Sequence, residues 1–179
     1  MNSVNQEKTD FAIEVERLKS SAEFKHLTFV SDRCDTKTIH ANIRKDLKKH
    51  FPLVKFSVRG DYHTVNIEWT DGVRLDDVNK LLLKFKSGTV DSHTDIFEFI
   101  RSPFIELFGG KKYIICKRHF SDRSIENAIA IVKNRYNELN QVKITVEEFR
   151  RGHYHSYSLK SYHESLQRLI SNTLHESTT

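Results

Sequence analysis

The sequence predicts an α+β protein: a small, mainly antiparallel sheet with helices packed on one face, in a single compact domain. Three observations predict it. Two alternating stretches, Val54–Arg59 and Thr64–Trp69, are separated by a short polar turn. Period-2 alternation marks half-buried strands, and so close a spacing makes them an antiparallel hairpin. Around that hairpin the order helix, strand, strand, helix, strand, helix, strand, helix implies helices layered on a small sheet. Finally, 179 residues with twelve Phe and six Tyr are enough to bury one core.

Each element has its own signature. Residues 1–9 are expected to be disordered, and residues 10–35 to form an N-terminal helix and approach. In "TDFAIEVERLKSSAEF", Thr9 or Asp10 can cap a helix that puts Phe11, Val15 and Leu18 on one side. Leu27–Val30 reads as a short strand. From Thr36 to His50, Ile39, Ile43 and Leu47 recur every four residues as a narrow apolar stripe. Pro52 ends that helix by disfavouring helical geometry at Phe51.

In the hairpin, Val54, Phe56 and Val58 alternate with Lys55, Ser57 and Arg59, and Val65, Ile67 and Trp69 with Thr64, Asn66 and Glu68. Gly60 and Asp61 supply the turn, and Asp71-Gly72 ends the second strand. "VRLDDVNKLLLKF" follows as a helix with Val78, Leu81, Leu82 and Phe85 inward, and "KSGTVDSHTD" as a loop. "IFEFIRSPFIELFGG" is apolar without a clear period and is expected to cross the core edge, with Gly109-Gly110 as a turn. "KKYIICKRHF" reads as a central strand. A helix starts near Ser121 and buries Ile125, Ile129, Val132 and Tyr136. These elements make residues 36–138 the core domain. Residues 139–179 are expected to add a strand ("VKITVEEF"), a basic and aromatic connection ("RRGHYHSYSL") and a final helix with Leu166, Leu169 and Ile170 inward, packed on that core.

Composition narrows the function. No apolar run approaches the ~20 residues that span a bilayer, and "MNSVNQEKTD" lacks the pattern of a secretion signal. Cys34 and Cys116 lie far apart, and Cys116 sits in an apolar run that suits a buried free thiol. A reducing cytoplasm, that of a bacterial host, fits. The net charge of +5 and pI near 9.1 are mildly basic, which is compatible with nucleic acid without being diagnostic of it.

"IRKDLKKHFPLVKFSVRGD", then "VNIEWTDG", a helix closing on "LLLKF" and a "VDSHTD" loop together resemble the large polyvalent protein-associated domain of type 29. "KYIICKRHFS" running into a helix is similar to that family's later segment, so the likeness covers roughly residues 36–138. The resemblance implies a protein of a phage, plasmid or other mobile element, and carries over no activity and no catalytic residues. The hairpin turn "GDYHT" is shorter than the Gly- or Ser-rich turn usual in the family.

Several clusters bear on binding. Opposite the stripe of the 36–50 helix lie Lys37, Arg44, Lys45, Lys48 and Lys49, a cationic face able to track phosphates or simply to be solvated. Lys55 and Arg59 extend it if the hairpin face is uncovered, although Glu68 opposes an anionic partner. Lys117, Arg118, His119 and Arg123 surround a helix start, where Ser121 and free N–H groups make either an anion site or a plain cap. In "FRRGHYHSYSLKSYH", Arg150, Arg151 and Lys160 interleave with Tyr154, Tyr157 and Tyr162, which suits stacked bases, a protein interface or a surface loop. His153, His155 and His163, and the run Asp91, His93, Asp95, contain metal-ligand residue types. Neither has a recognised ligand spacing, so no metal, cofactor or catalytic set is expected. There is no phosphate-binding loop, dinucleotide fingerprint or nucleophile elbow.

The expectation is therefore a non-enzymatic, cytoplasmic binding protein that contacts DNA or RNA, or a host nucleoprotein complex, through basic residues. A protein-binding inhibitor of a host defence system, of anti-CRISPR or anti-restriction type, is the first alternative. A metal-dependent enzyme is the second.

Overall fold

The computed structural model describes residues 2–32, 35–90, 97–159 and 164–178. Cys34, the Asp91, His93 and Asp95 run, Lys160, Tyr162 and His163 lie outside the described residues. In chain order the elements are α1 (Asn2–Ser20), α2 (Thr36–His50), β1 (Ser57–Gly60), β2 (Thr64–Thr70), α3 (Leu75–Leu82), β3 (Gly88–Val90) and β4 (Phe97–Phe99). They continue with α4 (Pro103–Phe108), β5 (Tyr113–His119), α5 (Asp122–Arg135), α6 (Val146–Arg150) and α7 (Leu166–Glu176). The class is α+β, as expected. The chain divides into two compact units, Met1–Trp69 with Asp76–Lys117, and Thr70–Leu75 with Arg118–Thr179.

In the first unit, α1 takes in residues 2–9, the stretch expected to be disordered. Helix α2 starts where predicted because Asp35 accepts a hydrogen bond from the Thr38 N–H at 3.0 Å. Ile39, Ile43 and Leu47 are buried along its inner side. Leu27–Val30 is not a strand. Buried Asn42 takes the place of a neighbouring strand: Oδ1 accepts from the Thr28 N–H at 2.8 Å and Nδ2 donates to the Thr28 carbonyl at 2.8 Å. The same amide reaches the Phe108 carbonyl at 3.0 Å, so one side chain satisfies backbone groups from two segments.

The β1–β2 hairpin forms in antiparallel register from Ser57↔Glu68 to Gly60↔Val65. Asp61 closes its turn, with Oδ1 accepting from the His63 and Thr64 N–H groups at 2.8 Å each. A side chain at Gly60 would put its Cβ 2.0 Å from the Thr64 carbonyl oxygen, which explains the glycine. Strand order is β1-β2-β5, so β2 is central and β5 is an edge strand rather than the central one predicted. Val65, Ile67 and Trp69, all buried, give β2 the stronger claim to the middle. The sheet is mixed: the Tyr113 N–H bonds to the His63 carbonyl at 3.0 Å, which runs β5 parallel to β2.

Strands β3 and β4 pair antiparallel, Gly88↔Phe99 to Val90↔Phe97, where a loop and an aperiodic segment were expected. Ser102 then caps α4, with Pro103 in the first turn. Lys111, only 1% exposed, donates to Thr36 Oγ1 (3.0 Å) and to the carbonyls of Asp61 (2.8 Å) and Tyr62 (3.1 Å). It pins the hairpin turn to the start of α2. Burial lowers its pKa and nearby Asp61 partly opposes that.

In the second unit, Ser121 caps α5, and Ile125, Ile129 and Val132 enter a core with Leu139, Leu166, Leu169 and Ile170. The predicted strand at "VKITVEEF" is instead capped into α6. Thr145 Oγ1 accepts from the Glu148 N–H at 3.2 Å, the N-cap bond, and its hydroxyl donates to Glu148 Oε2 at 2.9 Å.

Candidate nucleic-acid interface

The basic residues singled out by sequence divide into structural and exposed sets. On α2, Arg44 donates to the Val58 carbonyl at 2.5 Å, Lys45 to Thr28 Oγ1 at 2.7 Å and Lys49 to the Glu23 carbonyl at 2.7 Å. All three fasten α2 to neighbouring segments while keeping solvent exposure. Lys48, Lys55, Arg59, Lys117 and Arg123 are exposed and make no hydrogen bond or ion pair with another described residue.

In the second unit most of the predicted contacts are internal. Arg118 is buried and donates to the carbonyls of Gly72 (2.9 Å), Ser177 (2.9 Å) and Leu174 (3.3 Å). Its guanidinium also lies 4.9 Å from the centre of the Phe120 ring. That makes it a brace, unable to meet a phosphate. Arg150 pairs with Asp122 at 2.6 Å and bonds the Phe120 carbonyl, and Arg151 pairs with Glu147 at 2.6 Å. Tyr154 is buried; its hydroxyl donates to Glu148 at 2.6 Å and accepts from the Thr145 N–H at 3.0 Å. Tyr157 is exposed.

The expected anion site at the start of α5 is filled by the chain itself. Asp71 Oδ1 accepts from the Ser121 N–H at 3.0 Å. Asp71 has φ 58°, a left-handed conformation unusual outside glycine, and Gly72 follows at φ 66°. Burial raises the Asp71 pKa, but hydrogen bonds from Ser121 and Ser124 and the charge of Arg118 outweigh it, leaving the carboxyl below its ordinary range. The "W-x-D-G" signature therefore supplies a core Trp, an internal anion and a carbonyl for Arg118. No group of three or more metal-ligating side chains occurs among the described residues.

The hairpin face of Arg59 and Glu68, weighed in the sequence as a binding surface if uncovered, is exposed, and β5 adds residues to it that the sequence did not place there. In the antiparallel pair, Arg59 lies opposite Asn66 and Ser57 opposite Glu68, so each pair shares a face. The Tyr113–His63 bond places Tyr113 beside Thr64 in the parallel pair. Alternation then sets Ile115 beside Asn66 and Lys117 beside Glu68. Tyr113 is 41% and Ile115 52% exposed, with Arg59, Asn66, Glu68 and Lys117 exposed around them. The Lys112 Nζ sits 5.1 Å from the Tyr113 ring centre. An aromatic and an aliphatic side chain thus stand in solvent on a flat strand surface, bordered by cations. Tyr113, Ile115 and Lys117 alternate in the sequence, but that they share a face with Asn66 and Glu68 follows only from the pairing of β5 with β2.

These features define an α+β protein whose first unit is built on a small mixed sheet. Residues 34–121 match the model of the family described as large polyvalent protein associated domain 29. The match ends at the cap of α5, short of the residue 138 that the sequence likeness reached, and associates the protein with phages and other mobile elements. Comparison with curated proteins and with solved structures returns no match. No helix among the described residues is long and apolar enough to cross a membrane.

Proposed function

We propose that this protein is a non-enzymatic binding protein of a mobile element that holds single-stranded nucleic acid, in the host cytoplasm, on the open sheet face of its first unit. The observation that carries the reading is the juxtaposition of exposed Tyr113 and Ile115 with Arg59, Asn66 and Lys117. Bases stack on an exposed ring, at ~1–3 kcal/mol each, while flanking cations meet the phosphates. Glu68 on the same face works against the dense phosphate charge of a duplex and favours a single strand threaded past it. The exposed cations of α2, Lys48 above all, extend the electrostatic attraction without carrying stacking.

A specific feature also supports the reading as an inhibitor of a host defence protein. Strand β5 is an edge, so the N–H and C=O groups of Ile114 and Cys116 point away from β2, available to a partner strand. The two readings separate by salt dependence. Anisotropy titrations with labelled single- and double-stranded DNA and RNA, from low to physiological salt, should show micromolar or tighter single-strand binding with a clear salt slope. No binding at low salt rejects the nucleic-acid reading and leaves strand pairing with a protein.

A further inference from the structure

The first unit also contains a cavity of about 270 Å³ that none of the predicted sites used. It is lined by the hairpin turn (Tyr62, His63), the β4–α4 junction (Phe99, Ile100, Arg101) and Lys112, with Gly110 in its wall. Phe99 is 80%, Tyr62 53% and Ile100 44% exposed, so three large apolar side chains around one hollow face solvent. Contiguous exposed apolar surface around a concavity marks a binding site. The volume falls just under the ~300–1,000 Å³ of ordinary small-molecule sites, which admits one ring system with its sugar better than a larger cofactor.

Charge and continuity point to the occupant. Arg101 and Lys112 contribute two cations to the wall, against one carboxylate, Glu106, which lies 3.7 Å from Arg101. A planar apolar body carrying an anionic group matches that balance. Lys112 belongs to both places, since it lines the cavity and its ammonium lies against the Tyr113 ring on the sheet. We infer that the cavity receives one unstacked base of the single strand lying on the sheet, held between Tyr62 and Phe99 with its phosphate toward Arg101 and Lys112. The inference rests on the proposed single-strand binding and adds the place where a base, rather than the backbone, is read.

The test uses the full chain, with labelled oligothymidylate and oligouridylate of about eight residues as probes, titrated at several salt concentrations. Phe99→Ala, at an exposed position, should weaken binding about 10-fold while leaving the salt slope unchanged, because stacking and not charge is removed. Arg101→Gln is a second variant, should Phe99→Ala disturb the β3–β4 hairpin as judged by its melting profile. It should weaken binding and reduce the slope by about one. A 5-bromouridine-substituted probe should photocrosslink to the peptides containing Tyr62 or Phe99. Wild-type affinity in both variants, with Tyr113→Ala alone weakening binding, would overturn the base pocket and leave the sheet reading standing. Absence of wild-type binding at low salt would overturn both. Crosslinks confined to Tyr113 would also reject the pocket.

Discussion

Asp71 and Ser121, fifty residues apart in sequence, are joined by a 3.0 Å hydrogen bond from the Ser121 amide to the Asp71 carboxylate. The bond puts a negative charge at the first turn of α5, where the helix has free N–H groups and partial positive charge. It also holds a non-glycine residue in left-handed geometry, which Asp tolerates better than most.

Asp71→Ala should therefore destabilise the second unit by about 1–3 kcal/mol, combining loss of a capping interaction with a strained backbone. Asp71→Gly relieves the backbone part and should fall at the lower end. Urea unfolding with matched m-values measures both. Asp71 also has a pH signature. Its folded pKa lies below the ordinary 3.8, so its contribution is complete above the unfolded pKa and is lost as pH falls through the folded one. The stability gap between wild type and Asp71→Asn should shrink on going from pH 6 to about pH 3. A gap that is constant with pH would mean the carboxylate charge is not engaged.

Asp46 is the second internal anion. It is fully buried, with Oδ1 2.8 Å from His26 Nε2 and Oδ2 2.7 Å from Lys84 Nζ. The Lys84 contact is an ion pair more than an aligned hydrogen bond, since Oδ2 has no partner of good hydrogen-bond geometry. Lys84 in turn lies 5.5–5.9 Å from the ring centres of Phe24, Phe85 and Phe104. Removing the charge with Asp46→Asn leaves that ammonium among rings without its counter-ion. About 2–4 kcal/mol of destabilisation is expected, reduced from the fully buried case because Lys84 and His26 keep some solvent. A double-mutant cycle with Lys84→Met should show clear coupling, and strict additivity would refute the pairing.

Cys116 should be a slow thiol. Burial pushes its pKa up to about 11, while the ordinary value is near 8.5. In a Cys34→Ser background at pH 7.5, native-state alkylation by iodoacetamide should run at least about 100-fold slower than in urea. Equal rates would mean the inner side of β5 is open to solvent.

The pattern of right and wrong sequence expectations has physical causes. Helix α2 and the β1–β2 hairpin were legible because their apolar residues repeat with the period of the element they form. Strands β3 and β4 have three residues each, too few for a period to register. Helix α6 was misread because Val142, Ile144 and Val146 alternate, although the T-x-x-E of Thr145 and Glu148 was there to be read as a helix start. Arg118 looked like a surface cation, yet it shares one side of β5 with Ile114 and Cys116, and that alternation points it inward. The position of β5 beside β2, and so the addition of Tyr113, Ile115 and Lys117 to the exposed hairpin face, depends on a long-range pairing that no local pattern encodes.

That face yields the last prediction, which separates it from the α2 stripe. Arg59→Glu with Lys117→Glu replaces two exposed cations that bear no described internal bond, so folding should be little changed. Single-strand affinity should fall and the salt slope should shrink by about two, one for each phosphate that no longer meets a cation. Lys45→Glu with Lys48→Glu makes the same change in net charge on α2. It should weaken binding less, by removing general attraction rather than a direct phosphate partner. Tyr113→Ala removes no charge, so it should lower affinity ~5- to 100-fold with the slope intact. If the α2 pair costs more than the sheet pair, the strand lies along the helix and the open sheet is only a solvated surface.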